Sequence, residues 1–266
     1  MWLVEARTVF GRARTKALLG ALAAVPVFLA VVVYLSGGPA PGEGPSFLDR
    51  VVHNGVFTAL AALTVSMPFF IPLCTAAVAG DSIAGEASMG TLRYLVVRPA
   101  GRARLLLAKA VVVALFCLAA ALGIVVVGLV AGVAFFPHGR VVTLSGTTVS
   151  FMDGVGRSLL AGLVVGVSMF GLASIGVFVS TVTDVPIAAM AVTVGAVIVS
   201  AILDSVSQVS FMHPWLFTNY WTAFGDLLRD PVRWHDIWKD IVLQAGYMAV
   251  FGAAAWARMT TRDILS

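Results

Sequence analysis

Charge is what this sequence has least of. Lys, Arg, Asp and Glu make up 11% of its 266 residues, while 60% are hydrophobic. A water-soluble domain carries roughly 25% charged residues, so the deficit excludes a chain whose side chains mostly face water. The scarcity is also concentrated: the stretches 17–35, 56–79, 110–136, 159–182, 185–203 and 241–257 contain no Lys, Arg, Asp or Glu. A helix needs about 20 apolar residues to cross roughly 30 Å of hydrocarbon. One charge at the bilayer centre costs about 2.5–3.5 kcal/mol on insertion scales. Barrel strands would instead alternate polar and apolar over about 10 residues, and these runs are continuous. The expectation is an all-α polytopic membrane protein, a single transmembrane domain over residues 1–266 with six spans at those positions. The basic residues before 17–35 give the start of the chain some likeness to a secretory signal. That run exceeds the 7–15 residues of a signal's apolar region and reads as a retained first span.

Other absences narrow the function. There are two cysteines, Cys74 and Cys117, both inside apolar runs, where a thiol acts as a small hydrophobe. His213 and His235 lack companions at ligand spacing, so no metal site is expected. A membrane-embedded protease or lipid transferase needs paired acids or a Ser/His arrangement. Ser168, Ser174 and Ser200 lie in the runs without a His or acid there to activate them. No catalytic residue is assigned. An ion-driven carrier usually keeps an ionisable group in the bilayer, and the runs contain none. The nearest likeness to a phosphate loop, Gly85 to Thr91, has no lysine after Gly90 to meet the β- and γ-phosphates. Energy for any uphill transport would come from another chain, which would hold the ATP and Mg; this chain is expected to need no cofactor.

What charge there is has a pattern. With six spans both termini share one side, which holds eleven basic and five acidic residues; the other holds six basic and eight acidic. Positive charge in short loops marks the cytoplasmic side, so a plasma-membrane protein with both termini in the cytoplasm is expected. The basic total reflects topology, and no nucleic-acid partner is expected. Near the N-terminus, Trp2, Ala6, Val9 and Phe10 recur at helical spacing. They predict an amphipathic interfacial helix, either leading into the first span with a functional role or serving only as a lipid anchor. Pro68 and Pro72 fall in the second run, where a kink lining a pathway and a static kink read equally well. Gly128 and Gly132, and Gly162 and Gly166, have the spacing that lets helices approach closely. Asp184, before Val185-Pro186, is a candidate helix cap.

The most informative stretch is 80–109, too polar to span a membrane yet rich in Ile83, Met89, Leu92, Leu95 and Val96. Asp81 and Ser82 suit a helix start and Pro99 an end. Leftover apolar residues imply docking to a partner, or folding back onto the bundle. In this stretch the chain resembles the type-2 ATP-binding-cassette (ABC) exporter permeases. It carries their Gly-Asp-x-Ile-Ala-x-Glu element at Gly80, Asp81, Ile83, Ala84 and Glu86. Gly90, Thr91 and Leu92 follow, with Arg93 beside them, and then Arg98, Pro99 and Arg102. The ending Arg258, Arg262, Asp263 and Ile264 supports the likeness. The resemblance implies a cytoplasmic coupling helix between spans two and three. Its implied partners are a cytosolic ABC ATPase present in two copies, a second permease that is identical or related, and membrane lipid. The cargo expected for such uncharged spans is amphipathic or hydrophobic.

The stretch 204–240 is long for a loop and holds four of the six tryptophans. Such rings favour the membrane interface, predicting short helices outside, between spans five and six. The resemblance suggests a partly re-entrant cap there, with Trp215, Tyr220 and Trp221 as candidates for an external gate.

Overall fold

The computed structural model describes residues 2–39, 43–45, 47–89 and 99–261. Among the described residues are nine α-helices: α1 (Trp2–Gly11), α2 (Ala13–Ser36), α3 (Val56–Ser66), α4 (Phe70–Ser88), α5 (Pro99–Phe135), α6 (Phe151–Ser168), α7 (Phe170–Val182), α8 (Pro186–Ser205) and α9 (His235–Thr261). Five helical stretches are long and apolar enough to cross a membrane, and six if α3 and α4, bent by 59°, form one broken span. The chain is an all-α polytopic membrane protein. Its only strands among the described residues are a two-stranded ribbon, β1 (Val141–Val142) and β2 (Thr148–Val149), antiparallel with Val141 opposite Val149.

The helices overrun the apolar stretches. α5 begins at Pro99 rather than at 110, α6 at Phe151 rather than at 159, and α9 at His235 rather than at 241. The sequence reading stopped each span at its first charge, whereas a helix stops where its end groups are satisfied. Ser150 caps α6 by accepting the Asp153 N–H, and proline opens α5 and α8 at the position where a missing N–H costs nothing. At 37 residues, α5 is about 55 Å long by helix rise, well beyond the hydrocarbon core. Asp184 is not a cap: Val185 holds that position ahead of Pro186, because proline fixes the first helical residue one place later.

The two prolines of the second span differ in effect. Pro68 lies in the break between α3 and α4, where Phe69 leaves helical geometry. Pro72 is the third residue of α4, within the first turn whose N–H groups have no helical acceptor, so it removes no ladder bond. Pro68 is exposed on the bundle's flank and Pro72 is buried.

α5 is the central post, packed against α2, α3 and α6, while α4 packs on α7 and α8, and α9 on α7. Glycine sets the closest crossings. A Cβ on Gly128 would sit 2.6 Å from the Ala59 Cα, and one on Gly132 would collide with the Gly55 carbonyl. Gly162 and Gly166 face Val125 and Leu118 of α5. The small-residue spacings therefore serve packing within the bundle. One end, here the basal end, carries α1, the end of α4, the start of α5 and the end of α9. The distal end carries the ribbon and two 3-10 segments, Ser207–Trp215 and Trp221–Leu228, which realise the short helices expected between spans five and six.

Gly128→Leu forces α3 and α5 apart and should cost about 3 kcal/mol, the upper range for overpacking. Gly123→Leu, where an added Cβ meets nothing within 4 Å, should be tolerated. Thermal unfolding of the two variants in detergent checks the contrast.

Candidate functional site

The basal end gathers the charged residues that the sequence spreads over a hundred positions. α1 and α2 meet at Arg12, whose backbone is extended. Its Nη1 donates to the Asp81 Oδ2 at 2.9 Å, and Arg14 Nη1 lies 3.6 Å from Oδ1 of the same carboxylate. One helical turn further along α4, Glu86 Oε1 accepts from Lys109 Nζ of α5 at 2.5 Å, and Glu5 Oε2 of α1 lies 3.6 Å from the same ammonium. The Lys109 side chain is only 5% exposed. A buried ion pair gains little net stability, but removing one partner strands the other and costs about 3–5 kcal/mol. The junction therefore fixes how α1, α2, α4 and α5 sit relative to one another.

The rest of the segment's first half is turned inward. Ile83 and Ala84 are fully buried. The Ser180 hydroxyl of α7 donates to the Gly80 carbonyl at 2.8 Å and accepts the N–H groups of Ala84 (2.8 Å) and Ile83 (3.0 Å). It stands inside the α4 hydrogen-bond ladder, an insertion that locally opens a helix. A Cβ on Gly80 would lie 2.8 Å from the Met190 backbone nitrogen, so glycine is what lets α8 come this close. One expectation is corrected here. Asp81 and Ser82 do not start a helix; they lie within α4, which runs unbroken from Phe70 to Ser88. Of the two readings of the apolar residues in this stretch, Gly80, Ile83 and Ala84 follow the second: they pack on their own bundle, because a glycine and two apolar residues on one helical face fit α7 and α8.

Exposed residues begin at Ser88, and Met89 beside it is 63% exposed. Gly90, Thr91, Leu92, Arg93, Leu95, Val96 and Arg98 lie outside the described residues, as do the side chain of Pro99 and the ending Arg262, Asp263 and Ile264. Arg102 donates to the Met259 carbonyl at 3.3 Å, tying the start of α5 to the end of α9. On α1, Val9 and Phe10 are half-buried against the core and Ala6 is half-buried beside them, so the apolar stripe rests on the bundle. The side chain of Trp2 lies outside the described residues.

The distal half holds a polar node that the sequence reading missed. Asp240 was assigned to the last loop, but it lies in the second turn of α9 and is 0% exposed. Its Oδ2 is 2.5 Å from the Ser168 hydroxyl and its Oδ1 accepts from Gln244 Nε2 at 2.8 Å. Gln244 also donates to the Phe217 carbonyl at 2.9 Å, and Trp221 Nε1 donates to the Ser168 carbonyl at 3.1 Å. Ser168 ends α6, midway along the 32-residue stretch Phe151–Val182. Asp240 stands just ahead of the uncharged run 241–257, buried among the helices near the distal start of α9, and the cap packs against it. A signal was present, since Ile237, Asp240, Gln244 and Tyr247 recur at three and four residues, the period of one helix face.

Two of the three gate candidates stay together: Trp215, among the most exposed side chains, and Tyr220 line one groove beside α9, while Trp221 is buried in the node. His213 Nε2 lies within 3.2 Å of the carbonyls of Leu203 and Val206, closing the end of α8. Among the described residues no group of three or more His, Cys, Asp or Glu is placed to hold a metal.

Fold and polar nodes together define a polytopic helical membrane protein with a charged basal junction and a distal cap. A family model described as "Protein of unknown function (DUF2705)" matches residues 25–265, and the chain belongs to that family. No curated protein matches it.

Lys109→Met should lower stability by about 3 kcal/mol, since the ammonium that joins Glu5 of α1 and Glu86 of α4 to α5 is lost from a buried site. Adding Glu86→Met should restore most of it, and melting of the single and double variants in detergent reads the difference. Asp240→Ala should loosen the cap and expose the 207–228 segment to protease several-fold faster, whereas Asp240→Asn, which keeps the shape and one acceptor, should change cleavage little.

Proposed function

We propose that this chain is the permease subunit of an ABC exporter, moving an amphipathic or hydrophobic substrate with ATP hydrolysed by a separate subunit. The observation that carries the reading is the connection between the end of α4 and the start of α5. α4 ends at Ser88 and α5 begins at Pro99, and these two helices are joined to each other by Glu86 and Lys109. A push on the link enters the bundle through α4 and α5 together, and through Glu5 and Arg12 it reaches α1 as well. That arrangement suits a coupling element whose docking surface is the link and whose Gly80–Glu86 part is the transmission. Two copies of a cytosolic ATPase and a second permease, identical or related, complete the complex. The excess of basic residues at the basal end supports a cytoplasmic position for it and for both termini.

A second reading, an ion-coupled carrier, is favoured by Asp240, because a fully buried acid bridging two helices is a group to which a coupling ion could bind.

One experiment separates them. The chain is purified with a neighbouring ATPase, and retention and ATP turnover are measured for Thr91→Ala and Leu92→Ala, positions beyond the packed part of α4. Loss of roughly tenfold in retention, equal to about 1.4 kcal/mol, is expected. Unchanged retention and turnover across positions 89–98 would overturn the exporter reading. Gradient-driven uptake by the isolated chain in liposomes, abolished by Asp240→Asn, would establish the carrier.

A further inference from the structure

α9 is the least covered of the long helices, and the 3-10 segment at Ser207–Trp215 overhangs its distal half. Between them runs a groove of about 930 Å³, at the upper end of the range for ligand sites. Its floor is fixed by the Tyr247 hydroxyl, which donates to the Trp215 carbonyl at 2.8 Å. Gly246 opens it, since a Cβ there would meet nothing within 4 Å. The two ends differ in chemistry. Toward the tip of α9 stands Lys239, half exposed, its ammonium 5.7 Å from the centre of the Tyr220 ring and 3.3 Å from Asp236 Oδ1. Below it the walls are apolar, from Val242 to Phe251.

We propose that this groove binds one membrane phospholipid, with the phosphate on Lys239 and an acyl chain laid over Gly246. Depth supports this occupant. From His235 to Phe251 the helix rises about 24 Å, close to one leaflet of a bilayer that measures about 40–45 Å with its headgroups. Charge supports it too. An ammonium has three donors, and a half-exposed pair with Asp236 contributes little, so Lys239 keeps donors for a phosphate while Tyr220 and Asp236 hold it at the mouth. Trp238, 60% exposed beside it, is the residue type that settles at headgroup level. The site rests only on the chain's being embedded in a membrane and is independent of what powers or crosses it.

The test is competition for the full-length protein in detergent, read by native mass spectrometry, between phosphatidylglycerol and the diacylglycerol with the same chains. Wild type should retain the phospholipid about fivefold better, the effect of one basic side chain near an anionic headgroup. Lys239→Gln should equalise the two ligands. Gly246→Trp should reduce retention of both, while Val130→Trp, on an exposed part of α5, should leave both unchanged. Equal retention by wild type, or a preference that survives Lys239→Gln, would overturn the proposal. So would efficient disulfide formation between two copies of Trp238→Cys in native membranes, which would mean a second chain fills the groove.

Discussion

A polar group that this chain carries into its bundle is stabilised by a partner inside the bundle, because hydrocarbon offers none. That constraint accounts for the structure's three polar nodes. Ser180 joins α7 to the ladder of α4, Lys109 holds the carboxylates of α1 and α4 against α5, and Asp240 joins α9 to Ser168 while Gln244 and Trp221 bring in the cap. Each node fastens helices that are distant in sequence, and each fixes one rotation of its helix, since turning a residue away would strand a donor or a charge in apolar surroundings. Dispersion and close packing alone would tolerate small slips; these bonds do not.

Between the nodes the bundle is held by contact at backbone distance. The crossing of α3 and α5 at Gly55, Ala59, Gly128 and Gly132 leaves no room for a side chain. The helices gain van der Waals attraction there that lipid cannot match. The break at Pro68 bends the second span just past this crossing, so α3 follows α5 while α4 turns away to meet α7 and α8.

Much of this was legible in the sequence. Long uncharged runs marked the helix-rich membrane fold, and the glycine spacings marked the crossings. The boundaries are not, because a charge inside a helix looks in sequence like the end of a span. Lys109 and Asp240 both sit within helices, and each is tolerated there because a partner from a distant helix meets it. Nothing local announces such a partner. The same limit applies to Asp81 and Ser82: their residue types favour a helix start, but the apolar face that continues through Ile83 and Ala84 packs on α7, and tertiary contact outweighs local preference. The motif at Gly80 was visible as a pattern, and only the neighbours of Gly80 revealed that its first half is spent on internal packing.

The length of α5 has a mechanical consequence. It runs as one unbroken rod from Pro99 to Phe135, and its tightest grip, on α3 at Gly128 and Gly132, lies close to one end. A fulcrum placed midway between them leaves an arm of about 46 Å toward Pro99 and only about 8 Å toward Phe135. Any tilt of the rod is a wide swing at the first residue and a slight one at the last, so the ribbon and its surroundings stay nearly still while the opposite end sweeps.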